Sequence, residues 1–425
     1  MRRLWQFLTH RWVVRPLVLA LALALALLAS AVFETDPLWA AGGVLLAAAL
    51  WWLAPWAWRR YRERAADPLA RAIAEPSGDA RDEVPALRRA MLEAVGKIKT
   101  SKLGIMRGSA ALYELPWYMI LGNPAAGKSS AITHSGLTFP LAGTRALHGV
   151  GGTRNCDWFF TTEGIVLDTA GRYSVEDSDR AEWLAFLGLL RRYRPRAPVN
   201  GIIIAASLAE LVAGPPQKNL ELARNLRTRV QELTEHLGVY APVYVVFTKA
   251  DLVAGFCDFF HGAQGAERDR PWGATIRYNR RRANQDVLSF FDQGFEELHE
   301  GLKEMSLASM GMPVAMRPGV FTFPLEFASM KPVLRAFLAT LFEENTYQFR
   351  PVFRGFYFTS ALQEGSVSNQ ASQRVASRFN VELAKRNEKE REGAGAGYFL
   401  RDLFRNIIFA DKDLVARYTS PARTR

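Results

Sequence analysis

At 425 residues the chain is long enough for two or three compact units, which excludes a single minimal domain. Its 54 Lys plus Arg against 42 Asp plus Glu leave a formal net charge of +12, which suits a membrane surface, an acidic partner or nucleic acid and selects none of them. Two cysteines, Cys156 and Cys257, exclude a disulfide framework, and the six scattered histidines show no metal-ligand spacing.

Two uncharged apolar runs come first, Pro16 to Phe33 and Pro37 to Trp58. Each is about long enough to cross a hydrocarbon core of roughly 30 Å as a helix. Only Glu34, Thr35 and Asp36 separate them, so residues 1–66 read as a transmembrane helical hairpin. Arg2, Arg3, Arg11 and Arg15 precede the pair, and Arg59, Arg60, Arg62 and Arg64 follow it. That asymmetry puts both ends in the cytoplasm, with Trp51, Trp52, Trp56 and Trp58 as an aromatic belt at the second exit. Ala29-Ser30-Ala31 resembles a signal-peptide cleavage site, but a second span with a strong basic flank follows at once and favours the hairpin. Residues 67–115 read as a connector, polar at first and then helical, with Leu87, Met91, Leu92 and Val95 recurring on one face.

Trp117 to Leu121 is a short apolar run suited to a buried strand, and Gly122-Asn123-Pro124-Ala125-Ala126-Gly127-Lys128-Ser129 follows it, with Ser130 next. This is the G-x-x-x-x-G-K-[ST] pattern, in which backbone N–H groups cradle phosphate oxygens. Lys128 is expected to reach the β/γ-phosphates, and the Ser129 hydroxyl to reach Mg²⁺. A second buried strand then delivers Asp168 in Asp168-Thr169-Ala170-Gly171, placing a carboxylate near the metal and the Gly171 N–H near the γ-phosphate. Thr153 is the candidate switch threonine for Mg²⁺ and the γ-phosphate, or else a turn residue after Gly151-Gly152.

Gly201 to Ala206 reads as another strand, and Pro216 to Leu237 as a helix with Leu222, Leu226, Val230, Leu233 and Leu237 on one face. Pro242 to Phe247 is a further buried strand ending in Thr248-Lys249-Ala250-Asp251. This [NT]-K-x-D pattern sets Asp251 to accept from guanine N1–H and its amino group, while the Lys249 stem packs on the base. A strand is also expected at Val320 to Pro324. The loop after it lacks the small, alanine-containing sequence that grips guanine, so only a modest guanine preference over ATP is expected. Strands alternating with helices predict a doubly wound, mostly parallel α/β sheet with its ligand at the strand C-termini.

Arg277, Arg280, Arg281 and Arg282 form a basic cluster for acidic headgroups or a partner, or a solvated face; the nearby aromatics are not interleaved for stacking, so nucleic acid is not expected. Arg191, Arg192, Arg194 and Arg196 read as cations at a helix C-terminus. Helices are expected over Asp286 to Met305, Pro332 to Glu343, 378–391 and 398–409, and an added strand at Phe356 to Phe358. The implied organisation is a connector to residue 115, a P-loop domain over 116–345, and an added strand with a helical subdomain over 346–425.

Val150 to Phe160 (VGGTRNCDWFF), the DTAGRY stretch ending at Tyr173, Arg354 to Gly365 and Tyr398 to Phe409 resemble the IcmF/TssM family of type VI secretion inner-membrane proteins. The hairpin lies where that family has its own. The resemblance implies a P-loop GTPase-like domain with helical additions that holds GTP or ATP with Mg²⁺. It implies a multi-pass inner-membrane component with the residues after about 59 cytoplasmic, assembled as an oligomer. Its implied partners are a TssL/DotU-type inner-membrane protein and the baseplate of the secretion apparatus. An outer-membrane lipoprotein is met by the family through a periplasmic region that follows a third span. This chain ends at Arg425 without such a span, as an N-terminal portion or a short relative would. Arg172 stands where signalling GTPases carry a water-orienting Gln, and the family shares this arginine, implying slow hydrolysis or dependence on a partner. The reading is therefore an assembly and anchoring component with nucleotide binding as a conformational switch. The alternatives are a stand-alone membrane-tethered NTPase and a scaffolding IcmF protein of a type IVB system.

Overall fold

The structure, a computed structural model, describes residues 92, 93, 96, 111–140, 156–174, 179–263, 265–277, 286–309, 318–344, 351–361 and 397–415. All of these belong to a compact unit spanning 81–425. The hairpin expected in residues 1–66, most of the connector, Thr153, Arg280, Arg281, Arg282 and the helix expected over 378–391 lie outside the described residues. Among the described residues, no helix is long and apolar enough to cross a membrane.

Seven strands make one sheet: β1 (Trp117–Leu121), β2 (Cys156–Phe160), β3 (Ile165–Thr169), β4 (Gly201–Ser207), β5 (Pro242–Thr248), β6 (Trp272–Thr275) and β7 (Val352–Phe358). Their order is β2-β3-β1-β4-β5-β7-β6. The five central strands run parallel, and β2 and β6 close the two edges antiparallel. The expectation of a mostly parallel α/β sheet is met. β1, β3, β4 and β5 are buried along their whole length, which is why they read as unbroken apolar runs instead of alternating ones. β1 lies between β3 and β4, where the chain reverses its direction of travel across the sheet, and ligands of open α/β sheets bind outside the strand C-termini at such a point.

Successive residues of each strand face opposite layers. Trp117, Met119 and Leu121 join a core with α2 (Arg180–Tyr193), α4 (Pro216–Leu237), α5 (Val287–Ser309) and α6 (Gly319–Leu341). Tyr118 and Ile120 face the other layer, with Ile132 of α1 (Lys128–Thr133) and with Leu403, Phe404, Ile408 and Phe409. The segment 397–415 therefore covers a sheet face, and its Leu403–Ile408 stretch is a π-helix. Tyr244 Oη donates to Asp411 Oδ2 at 2.8 Å, and Arg354 holds the same carboxylate through Nε at 2.6 Å and Nη2 at 3.0 Å.

Two sequence readings are corrected, and two features of the fold are added to them. Val320 to Pro324 is the start of α6, with Pro324 and Pro332 inside the helix. Its β-branched and aromatic residues imitate a strand. Phe323, Phe327, Met330, Leu334, Phe337, Leu338 and Leu341 nevertheless bury one helical face, and that burial outweighs the roughly 3 kcal/mol an internal proline costs. Phe356 to Phe358, expected as an added strand, belongs to β7, which pairs with β5 inside the parallel sheet. β6, a strand that the sequence reading does not include, pairs with β7. Arg194 caps the C-terminus of α2 as read, and its burial is what the sequence did not show: it is 1 % exposed, with Nη1 on Asn200 Oδ1 at 2.9 Å, Nη2 on the Leu115 carbonyl at 3.2 Å, and its guanidinium 4.9 Å from the Trp117 ring centre. Burial pulls its pKa down to about 9.

Candidate nucleotide site

β1 feeds directly into the loop Gly122 to Gly127. Pro124 and Ala125 form its exposed crest, and Ala126 is buried beneath. Ala125 has φ 59° and Gly127 φ 79°, so the loop turns twice through the left-handed region, and only the second of those positions is a glycine. Lys128 opens α1 and is 6 % exposed. Its Nζ donates to the Gly122 carbonyl at 2.9 Å and the Asn123 carbonyl at 3.0 Å. Burial lowers its pKa from the ordinary lysine value, and the nearby Asp168 carboxylate opposes that shift. Ser130 lies in the same turn, and its carbonyl accepts from His134 N at 3.0 Å.

β3 brings Asp168, fully buried, beside α1, where Ser129 Oγ donates to its Oδ2. Thr169 Oγ1 donates to the Ile120 carbonyl at 2.8 Å, tying the ends of β3 and β1 together. Gly171 follows so closely against the phosphate loop that a Cβ there would lie 2.3 Å from Pro124 N. Ser129, Asp168 and Gly171 are thus brought together as the motif spacing predicts. Arg172 is turned away to the start of α2. Its Nη1 is 3.2 Å from Asp179 Oδ2 and its Nη2 3.0 Å from Glu182 Oε2, and the guanidinium lies 5.1 Å from the Tyr173 ring centre. Two carboxylates and an aromatic face give it a complete ion-pair environment there. Tyr173 Oη donates to Glu182 Oε1 at 2.5 Å, which fixes the second carboxylate in turn.

The other end of the site is built where β5 and β7 finish. Thr248 Oγ1 donates to the Ala126 carbonyl at 2.6 Å, joining β5 to the phosphate loop. Lys249 has φ 59°, and its Nζ lies 3.0 Å from Glu210 Oε1. Asp251 Oδ1 accepts from Ser360 Oγ at 2.5 Å. The backbone supports this contact: Thr359 N donates to Phe247 O at 2.8 Å, and Ala250 N to Thr359 O at 3.1 Å.

This places a small, alanine-containing loop, Thr359-Ser360-Ala361, beside Asp251. The loop sought after Phe323 is absent there because that stretch is helical; a small, alanine-containing loop follows β7 instead. The sequence signal was present in Phe-Tyr-Phe running into Thr-Ser-Ala. Glu210 was also missed. It contacts both Lys249 and, through Oε2 at 2.9 Å, Asn123 Nδ2.

Chemically, the strand ends assemble loop N–H donors, a buried ammonium, a hydroxyl–carboxylate pair and a second carboxylate held by a serine. Such a set suits a polyanion at one end and a ligand with paired N–H donors at the other.

Residues 176–425 match the model of the IcmF-related N-terminal domain. Over 355 residues the chain is 41 % identical to the type VI secretion system component TssM1 of Pseudomonas aeruginosa, an alignment covering 81 % of this chain and 32 % of that protein. The chain thus spans about a third of that relative's length. Among solved structures, a GTP-binding protein of Sulfolobus solfataricus in complex with GDP is 14 % identical at a TM-score of 0.20, covering 59 % of this chain and 65 % of that one. An NFeoB variant of S. thermophilus bound to GDP is 14 % identical at a TM-score of 0.21, covering 53 % of this chain and 89 % of that one. With well over half of its residues matched by the domain model, the chain belongs to the IcmF/TssM family.

Proposed function

We propose that this chain is the nucleotide-binding part of a type VI secretion component, anchored in the inner membrane by the hairpin of residues 1–66, whose conformation follows the nucleotide it holds. The observation that carries this reading is the convergence of four separate stretches on one sheet end: the Gly122–Ser129 loop, Asp168, Asp251 and Ser360. Loop N–H groups and Lys128 would grip the phosphates, with Lys128 exchanging the Gly122 and Asn123 carbonyls for phosphate oxygens. Ser129 and Asp168 offer two hard oxygen donors already in contact, a donor set that fits Mg²⁺. The ion, when bound, supplies charge neutralisation at the β/γ-phosphates. Asp251 would accept from the two N–H groups of guanine, with Ser360 fixing the carboxylate.

Arg172 carries donors only and cannot orient an attacking water as a glutamine does, and its guanidinium is paired with Asp179 and Glu182. Slow hydrolysis and a switching role follow in preference to steady turnover. The partners implied by the family, a TssL/DotU-type protein and the baseplate, belong to the same proposal.

The test is competition binding of GTP and ATP with Mg²⁺ on the full chain and on Asp251→Asn. GTP is expected to bind about tenfold tighter, because a site of paired polar groups is left unsatisfied by the wrong base. Asp251→Asn should erase that margin by weakening GTP alone. No nucleotide binding by the parent chain would leave a scaffold. Equal losses for both nucleotides would make Asp251 a structural strand end.

A further inference from the structure

Glu210 occupies the third position of α3 (Leu208–Ala213), and its backbone N–H is accepted by the N-cap Ser207 Oγ at 3.3 Å. In a Ser-x-x-Glu box the glutamate usually turns back toward the cap. Here the carboxylate reaches out of the helix. Oε2 takes Asn123 Nδ2 at 2.9 Å, and Oε1 takes Lys249 Nζ at 3.0 Å. Ser207 is also the last residue of β4, in register with Thr248 of β5, so the sheet itself fixes where Glu210 starts. Asn123 sits in the phosphate loop, and Lys249, in left-handed backbone, opens the base motif.

We infer that Glu210 is a positioning residue of the nucleotide site, holding the phosphate loop at a set distance from the lysine whose stem lies along the base. The inference rests on the nucleotide reading above. It separates two kinds of recognition. Asp251 reads the base edge and so distinguishes guanine from adenine. Glu210 orients Lys249, whose methylenes pack on a ring face that every purine offers, so its loss weakens GTP and ATP alike. The Glu210 side chain is 46 % exposed, and an ion pair whose carboxylate stays in contact with water adds little to the stability of the fold. Its effect belongs to ligand binding.

The geometry also specifies the conservative variant. Asn123 Oδ1 is buried without a hydrogen-bond partner among the described residues. In Glu210→Gln the amide oxygen keeps Lys249, and the amide nitrogen donates to Asn123 once that side chain turns its oxygen over. The clamp therefore survives loss of the charge.

The experiment measures affinity and dissociation rate of fluorescent GTP and ATP analogues, with Mg²⁺, on the full chain in detergent, for the parent, Lys128→Ala, Glu210→Ala and Glu210→Gln. Unfolding of each protein is measured without nucleotide. Glu210→Ala should lose about five- to tenfold for both nucleotides, the scale of one charge-assisted hydrogen bond, through faster dissociation. Its unfolding temperature should stay at the parent's, and Glu210→Gln should bind within about twofold of the parent. Unchanged affinity in Glu210→Ala, a loss confined to GTP, or an equal loss in Glu210→Gln each overturns the inference while leaving nucleotide binding intact. A parent that binds no nucleotide, or a Lys128→Ala chain that binds as well as the parent, overturns the underlying reading and this inference with it.

Discussion

Two buried cations stand at opposite ends of one strand. At the C-terminal end of β1, Lys128 is 6 % exposed and held by two loop carbonyls; at the N-terminal end, Arg194 is 1 % exposed and held by Asn200, the Leu115 carbonyl and two aromatic faces. Burial lowers the pKa of both. Their surroundings differ in what they permit. The arginine's partners are parts of the packed core: Asn200 Oδ1 also accepts from Trp117 N at 2.9 Å, and Asn200 Nδ2 donates to the Lys412 carbonyl at 2.7 Å. The lysine's partners are carbonyls of a loop already bent through two left-handed positions. On the nucleotide reading proposed above, an incoming anion replaces them, so a buried charge is a fixed part of the fold at one end and an exchangeable contact at the other.

The comparison breaks most readily at Arg194. Arg194→Ala removes hydrogen bonds to two groups and leaves a cavity between Trp117 and Tyr113, a loss of about 4 kcal/mol in unfolding free energy. Arg194→Lys should not rescue it, since one ammonium cannot reproduce a planar fork that reaches Asn200 and Leu115 together. Nucleotide affinity, measured well below the unfolding transition, should stay within about twofold of the parent, because additivity holds for distant sites. Denaturant unfolding that matches the parent would mean that this end of the sheet does not depend on its cation.

Lys128→Ala should behave in the opposite sense. Loss of the phosphate-facing ammonium should weaken GTP and ATP by about a hundredfold. Stability without nucleotide should hold or rise slightly, because burial already disfavours the charged amine, as the downward pKa shift records. Titration calorimetry and thermal unfolding on the same preparation check both halves. A variant that binds normally, or one that unfolds several degrees early, would make the two cations alike and remove the contrast.

What the sequence disclosed follows the same division. β1 and α4 have the bounds read from the chain, because unbroken apolar runs and a Pro-start, Gly-stop helix are local signals. The phosphate loop is local as well. Arg194 carries no local signal that separates it from Arg191 and Arg192: its burial is set by Trp117 and Asn200, which arrive from other elements. The place of β7 was hidden for a related reason. Two 23-residue helices and β6 intervene between β5 and its parallel neighbour, so the chain alone did not say which strand would flank the base motif. The strand-like VFTFP at the head of α6 was the nearer choice, and it was resolved only by the buried helical face that continues to Leu341.

The smallest effect sharpens the comparison at the site end. Ser360 joins two functions in one residue: its Oγ donates to Asp251 Oδ1 at 2.5 Å, and its backbone forms a bridge with Tyr398, Tyr398 N donating to Ser360 O at 2.7 Å and Ser360 N to Tyr398 O at 3.2 Å. Ser360→Ala keeps the bridge and deletes only the hydroxyl. Without that donor the Asp251 carboxylate is less firmly held for the ligand, at a cost of about one hydrogen bond, or roughly a three- to fivefold loss of GTP affinity. ATP affinity should be unchanged, since adenine does not offer Asp251 the paired donors that guanine does. Stability should move little, because Asp251 is only half-buried and the backbone bridge to the 397–415 segment stays in place. Competition binding on the parent, Ser360→Ala and Asp251→Asn gives the ranking, with Ser360→Ala intermediate for GTP and all three equal for ATP. A Ser360→Ala chain that loses ATP as well would place the serine with Arg194, among the residues that hold the fold, and not with those that read the ligand.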